Sequence, residues 1–431
     1  MLPERSVLPL PLLLFFSLLM MMATCRTALA FTSPLFRSPS FSYRFLASSR
    51  ALTSFSSSVH DDDSPPPDEK PLKSFVGFPA YKLPPPPPDV YELQEGRRVV
   101  CIGDVHGDLQ ALRNFLTIAQ VMDMEEQWIG GDTICIQLGD VLDRGKEELA
   151  CWTLLAKLSR QATRKGGSLS FLWGNHEALN AVGLFQYTLG EDEFHATIGK
   201  PLDLIRGDSN WRLQFAGNQP SRWASMEPGG LLSETLLANF KVALVVGRTL
   251  CVHAGLTKQH LIDYGGIRGM NLQAREWILS QHFLYNNSGR YHTTEQVVKE
   301  AQERANLASN RMPACLGGGV GSHSPVWMRD YSQPNDAPPR NPHAQRMITE
   351  VLEELQCDRM VMGHTPQFQI NAALQSKAWR IDVGASRGVM GGTPEVLEII
   401  HGATHDEVSI LTPDGKVPAS ERQVVDSSIL F

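Results

Sequence analysis

Arg98-Val99-Val100-Cys101-Ile102-Gly103-Asp104-Val105-His106-Gly107-Asp108 is a short apolar run that stops at a glycine and then presents an aspartate and a histidine. Leu109, Leu112, Phe115 and Leu116 return at helical spacing, so the stretch reads strand, loop, helix. The same grammar recurs at 133–138, followed by Gly139-Asp140-Val141-Leu142-Asp143-Arg144-Gly145 and a helix from about Lys146. It recurs again at 168–173, followed by Gly174-Asn175-His176-Glu177. The pattern predicts an α/β fold in which strand C-terminal ends deliver polar side chains to one sheet edge, the usual place for ligands.

Two later histidines fit the same arrangement. A strand-like run at 250–252 ends in His253-Ala254-Gly255-Leu256, and one at 359–362 ends in Gly363-His364-Thr365. Taken singly, a strand-end Asp is often a helix N-cap, and a Gly-His-Thr is often a turn. Taken together, Asp104, His106, Asp140, Asn175, His253 and His364 are oxygen and imidazole donors with no cysteine among them. That donor set describes a site for two divalent cations of the Mn, Fe or Zn kind.

Arg144 stands next to Asp143, and its guanidinium fork matches two phosphate oxygens better than a lysine would. The glycine run 317–321 lacks the Lys-Ser/Thr of a P-loop and reads as a turn. Asn286-Asn287-Ser288 matches a glycosylation sequon. Helical spacing at 272–283 and 294–307, inside the long excursions 178–240 and 257–345, predicts a helical lobe roofing the strand ends.

The blocks Gly103–Asp108, Gly139–Gly145, Gly174–Glu177, His253–Leu256 and Gly363-His364-Thr365-Pro366-Gln367, in this order, resemble the calcineurin-like metallophosphoesterases. Within them the chain resembles the phosphoprotein phosphatases, and its variant spellings resemble the Shewanella-like branch. Trp173 precedes the Gly174 block where an arginine is usual, and Ala254 replaces a glycine. The stretches 325–331, with Arg329, and 380–389 stand in place of the usual C-terminal block.

The resemblance implies a metallophosphoesterase α/β-β-α sandwich with a dimetal site at strand C-terminal ends and a helical inserted lobe. It implies a phosphomonoesterase acting on phosphoproteins through a metal-bridging hydroxide. Asp104 and His106 would hold one metal, Asn175, His253 and His364 the second, and Asp140 would bridge them, with manganese the expected ion. His176 would be the general acid, held by Asp143. Arg329 would bind phosphate beside Arg144. A diadenosine-tetraphosphate hydrolase and an inactive metal-binding scaffold are the alternatives.

The chain has 431 residues and a net charge of -7. Residues 1–60 hold 5 arginines and 1 acid, so residues 61–431 hold 34 bases and 45 acids, a charge of -11 that argues against a nucleic-acid partner. Seven cysteines without a C-x-x-C pair are no disulfide framework. Residues 7–22 form an apolar run behind Arg5 and ahead of Thr27-Ala28-Leu29-Ala30, which reads as a signal peptide cut after Ala30. Residues 31–60 contain 10 Ser, 3 Arg, 5 Phe and no acid, a transit-peptide composition. The tandem resembles the bipartite presequences of algae with secondary plastids and implies a plastid protein, the alternative being a secreted one. No membrane association is expected after processing.

Residues 61–90, acidic and then proline-rich through Pro84–Pro88, are expected to be an extended linker. The expected catalytic domain runs 91–415, with a tail from 416 to 431.

Overall fold

The computed structural model describes residues 84–189, 193–194, 219–280 and 294–424. The signal-like and transit-like segments, most of the acidic linker, the Asn286 sequon and residues 425–431 lie outside them.

The strands are β1 (Val90–Tyr91), β2 (Arg98–Ile102), β3 (Ile134–Gln137), β4 (Ser168–Phe171), β5 (Ala243–Val246), β6 (Thr249–Val252), β7 (Arg359–Met362), β8 (Asn371–Ala373), β9 (Ala378–Arg380), β10 (Val396–Ile400), β11 (Glu407–Thr412) and β12 (Gly415–Pro418). The helices are α1 (Leu109–Ile118), α2 (Glu148–Arg164), α3 (Asn175–Ala181), α4 (Pro220–Met226), α5 (Leu231–Thr235), α6 (Lys258–Tyr264), α7 (Gly266–Ile278), α8 (Thr294–Arg311) and α9 (Ala344–Glu354).

The strands form two six-stranded sheets, ordered β1-β5-β6-β7-β9-β8 and β12-β11-β10-β2-β3-β4. In the second sheet β2, β3 and β4 run parallel, and in the first β6, β7 and β9 do the same. Each sheet therefore sends three neighbouring strand ends to one edge. These strands are buried on both faces, as Ile134–Gln137 and Thr249–Val252 are buried throughout, which suits parallel strands covered on both sides. Gly103, just past β2, lies so close to the loop after β9 that a Cβ there would sit 2.5 Å from the Ile381 carbonyl oxygen. The ends of the two sheets thus meet where any side chain at 103 would clash.

The helices are fixed by ordinary means. The Asp108 carboxylate accepts the Ala111 N–H at 3.1 Å and starts α1, whose buried stripe is Ala111, Leu112, Phe115 and Leu116. Phe115 is wholly buried, so truncating it to alanine costs about 3–5 kcal/mol. Trp152 of α2 packs on Phe171 and Phe240 at ring distances of 5.7 and 5.0 Å. In the excursions, α4 and α5 precede β5, whereas α6 to α9 separate β6 from β7. Trp277 Nε1 donates to the Ala308 carbonyl at 3.1 Å, joining α7 to α8.

Several sequence boundaries move. The second helix starts at Glu148 and not near Lys146; the 272–283 spacing belongs to α7, which ends at Ile278, and the 294–307 spacing extends to Arg311. The folded body also begins before residue 91. Val90 pairs with Val245, Asp89 accepts from Lys241 Nζ at 2.7 Å, and the Pro84 carbonyl accepts from Asn239 at 3.3 Å. At the other end, the expected tail continues the sheet: Lys416, Val417 and Pro418 pair with Leu411, Ile410 and Ser409. A two-residue turn at Pro413-Asp414 makes that hairpin, and Arg422 then pairs with Glu395 at 2.9 Å. Among the described residues no helix is long and apolar enough to cross a membrane.

Candidate metal centre

Six strand ends converge on one buried cluster. Asp104 and His106 follow β2, Asp140 and Asp143 follow β3, and Asn175 and His176 open α3 after β4. From the other sheet come His253 after β6, His364 after β7 and Asp382 after β9. All nine side chains are buried.

Asp140 sits at the centre. Its Oδ2 is 3.3 Å from His253 Nε2, 3.8 Å from His106 Nε2 and 3.8 Å from His176 Nε2. His106 Nε2 is also 4.0 Å from Asp104 Oδ2. Asn175 Oδ1 lies between two imidazoles, 3.1 Å from His253 Nε2 and 2.8 Å from His364 Nδ1. Two triads have their donor atoms mutually within 4.8 Å: His106, Asp140 and His176, and Asp140, His253 and His364.

The imidazoles are aimed from behind. His253 Nδ1 donates to the Leu138 carbonyl at 2.7 Å and His106 Nδ1 to that of Leu142 at 2.9 Å. Each bond fixes the tautomer and leaves the Nε2 lone pair facing Asp140. His364 is turned the other way: its Nε2 faces the Trp327 carbonyl at 3.2 Å, so Nδ1 is its free donor. Carboxylate, amide and imidazole atoms spaced 3–4 Å apart are the edges expected around a cation bound at about 2.0–2.2 Å. The residues therefore fit divalent metals of the kind that nitrogen and oxygen donors hold.

The loops are locked by Glu177. Its carboxylate accepts the N–H groups of Asp140 (2.8 Å), Val141 (2.9 Å), Leu142 (3.2 Å) and Gly174 (3.0 Å). Gly174 is required at that junction, because a Cβ there would lie 2.1 Å from Asp140 Oδ1.

Electrostatics follow from burial and this crowding. Burial alone would raise the Asp140 carboxyl, but His253, His176 and His106 around it hold it well below the usual carboxylate range. Burial, Asp382 and Asp140 push Asp104 well above that range. Asp382 is pushed up to about 6, chiefly by burial and then by Asp140. Burial holds His106 down at about 3, whereas Asp140 and Asp143 outweigh burial at His176 and raise it.

His176 Nδ1 is 2.5 Å from Asp143 Oδ2, and its Nε2 points toward the cluster. Arg144 follows with its guanidinium carbon 5.1 Å from the centre of the Tyr187 ring, and its buried Nε makes no hydrogen bond among the described residues. It lines a cavity of about 510 Å³ together with Gly107, Lys146, Ser386 and Arg387. Arg329 Nη1 donates to Thr365 Oγ1 at 2.8 Å, next to His364. It does not pair with its neighbour Asp330, which instead faces His323 at 3.0 Å and Asn341 at 2.6 Å.

All ten residues singled out in the sequence thus lie in or against one cluster, and Asp382, Asn180, Glu148 and Tyr187 join them. Asp382 carried only a weak signal, since Arg380 interrupts the run before it and its glycine, Gly384, follows it instead of preceding it. The others are placed by long-range packing that no local spacing announces.

The family model described as calcineurin-like phosphoesterase matches residues 97–368. Shewanella-like protein phosphatase 2 of Arabidopsis thaliana is 34% identical over 334 residues, spanning 71% of this chain and 76% of that protein. An uncharacterized protein of Schizosaccharomyces pombe is 25% identical over 298 residues, spanning 68% of this chain and 74% of its own. Among solved structures, the cold-active protein-tyrosine phosphatase of a psychrophilic Shewanella superposes with a TM-score of 0.53 at 18% identity, covering 79% of this chain and 84% of that one. That structural likeness speaks for the fold.

Proposed function

The chain belongs to the calcineurin-like phosphoesterases, and from that membership we propose that it is a divalent-cation-dependent phosphatase that removes phosphate from phosphoproteins. The observation that carries this reading is the buried convergence of Asp104, His106, Asp140, Asn175, His253 and His364, with the His176–Asp143 pair beside it. Asp104 and His106 would hold one cation, Asn175, His253 and His364 the other, and Asp140 both. Manganese is our choice among ions that suit these donors. When bound, the cations supply Lewis acidity toward phosphate oxygens and water.

The protein's own residues perform the rest. Arg144 offers two N–H groups to the phosphoryl oxygens, and Arg329, anchored on Thr365, adds a second positive charge. As the ester P–O bond breaks, the leaving oxygen takes the proton from His176 Nε2. Asp143, accepting from Nδ1–H, orients the ring and stabilises the imidazolium, whose Nε2–H is the proton transferred. The scaffold alternative conflicts with this intact set.

The test is hydrolysis of matched phosphoserine, phosphothreonine and phosphotyrosine peptides by the manganese-loaded protein, with diadenosine tetraphosphate as fourth substrate. Turnover on a peptide is expected and names the residue class; cleavage of the dinucleotide alone overturns the substrate assignment. For the N-terminal extension we propose a two-step plastid address. Residues 1–90 fused to a fluorescent protein should direct it to plastids in an alga with secondary plastids, and export from the cell instead would refute it.

A further inference from the structure

We propose that Arg222, on α4 of the inserted lobe, is a positioning residue for the proton-donating pair His176–Asp143; the inference rests on the phosphatase reading above. Arg222 is fully buried and cannot touch substrate. Its Nη1 donates to Glu148 Oε1 at 3.0 Å and to Asn180 Oδ1 at 2.8 Å, while Nη2 bonds Glu148 Oε2. Both recipients in turn grip Asp143. Glu148 Oε1 accepts the Asp143 N–H at 2.6 Å, and Asn180 Nδ2 donates to Asp143 Oδ1 at 2.9 Å. The other carboxylate oxygen, Oδ2, is the one that holds His176.

Asp143 needs such holding. It and Arg144 are consecutive non-glycine residues in the left-handed region, with φ of 68° and 63°. Residues in that region persist only where their surroundings over-determine them. Two of the grips on Asp143, one on its backbone and one on its side chain, run through the Arg222 fork. Arg222 Nη1 also lies 3.8 Å from Asp143 Oδ1, and its guanidinium carbon sits 4.1 Å from the centre of the Phe194 ring. The planar fork is therefore stacked over Phe194 and bidentate to Glu148, a geometry that lysine does not reproduce. Because α4 packs on α3, which begins with Asn175 and His176, the lobe is tied to the acid and not only to the substrate path.

Arg144 is held separately, its N–H donating to the Tyr187 carbonyl at 2.9 Å. Loss of Arg222 should therefore spare phosphate binding and harm proton delivery. The experiment compares kcat and KM on phenyl phosphate, a poor leaving group, and p-nitrophenyl phosphate, a good one, in the manganese-loaded full chain. Arg222→Met is expected to lose about 10–100-fold in kcat on phenyl phosphate, but under about 3-fold on p-nitrophenyl phosphate, with KM and metal content unchanged. In a His176→Asn background the same change should cost nothing further, as groups acting as a unit do not add.

Arg222→Lys keeps the charge without the fork and should show a smaller loss with the same skew. If Arg222→Met does not fold, the lysine variant carries the test. Equal losses on the two esters, or additivity with His176→Asn, would overturn the proposal while leaving the phosphatase reading intact. A wild-type protein that cleaves neither ester would remove that reading and this inference with it.

Discussion

His253 Nε2 lies 3.3 Å from Asp140 Oδ2, and the two residues come from different sheets, one following β6 and the other β3. The centre therefore exists only where the sheets are correctly packed. Asp140 Oδ2 also lies within 4 Å of the Nε2 atoms of three imidazoles, His253, His106 and His176, the placement the proposed bridging role requires. Asp140→Asn should lower metal content and turnover together, turnover by more than ~100-fold, beyond the 10–100-fold typical of outer partners. Metal analysis alongside kcat checks this, and full occupancy with unchanged rate would remove the bridging role.

His176 is bonded to Asp143 through Nδ1, and its Nε2 faces the cluster, where the proposed acid role needs it. His176→Asn should keep the metals and lose about 100-fold or more on phosphopeptides, with a smaller loss on p-nitrophenyl phosphate, whose leaving group needs no proton. Equal losses would argue for a role in binding rather than in proton transfer.

The charge on Asp143 helps to raise His176 above the ordinary imidazole range, with Asp140 the larger influence. A raised imidazole stays protonated as pH rises through its ordinary value, so acid-assisted turnover should fall only at higher pH. Removing the Asp143 charge lowers that pKa. Asp143→Asn should therefore shift the alkaline limb of the kcat profile to lower pH on a poor leaving group, and an unmoved limb would count against His176 as the titrating acid.

Glu177 accepts four backbone N–H groups from the two loops that carry Asp140 and Asn175. Glutamine would turn an N–H₂ toward two of those donors. Glu177→Gln should cost about 2–3 kcal/mol of stability, as charged hydrogen bonds are lost in a buried setting. Denaturant unfolding of the metal-free protein measures this without reference to activity, and a change below about 0.5 kcal/mol would show that the loop is held by other means.

The metal cluster was legible in the sequence because each ligand obeys a local rule. A short, largely apolar run fixes a buried strand, a nearby glycine lets the chain turn, and the polar side chain just past the strand lies at the sheet edge. Asp382 departs from that rule, since Arg380 interrupts the run before it and no glycine precedes it, and only its place just past β9 brings it to the same edge. Arg222 and Glu148 could not be read, being 74 residues apart in sequence and brought together only by packing of the lobe. The same limit applies to the ends of the domain. Lys416–Pro418 is short, with Val417 alone as a strand former beside a proline, and its strand forms against the open edge that β11 offers. Asp89 is likewise held by Lys241 and Asn271 from the far side of the chain.

Metal binding should release protons at mildly acidic pH. Asp104 is raised by burial and by the facing carboxylates of Asp382 and Asp140, while Asp382 stands at about 6. Both groups are therefore protonated to a higher pH in the metal-free protein than ordinary aspartates are. A divalent cation favours the ionised forms and reverses the local balance. At pH near 6 the cation must displace protons from this pair, whereas near pH 8 the Asp382 proton has already left. Manganese affinity should thus climb as pH rises through about 6, and the number of protons released per cation should fall over the same range. Calorimetric titration in buffers of different ionisation enthalpy measures both quantities. Asp382→Asn removes one of the two raised carboxyls, so its proton release near pH 6 should be smaller than that of the wild type. Identical proton release in the two proteins, or none in either, would mean that the carboxyls are already ionised without metal.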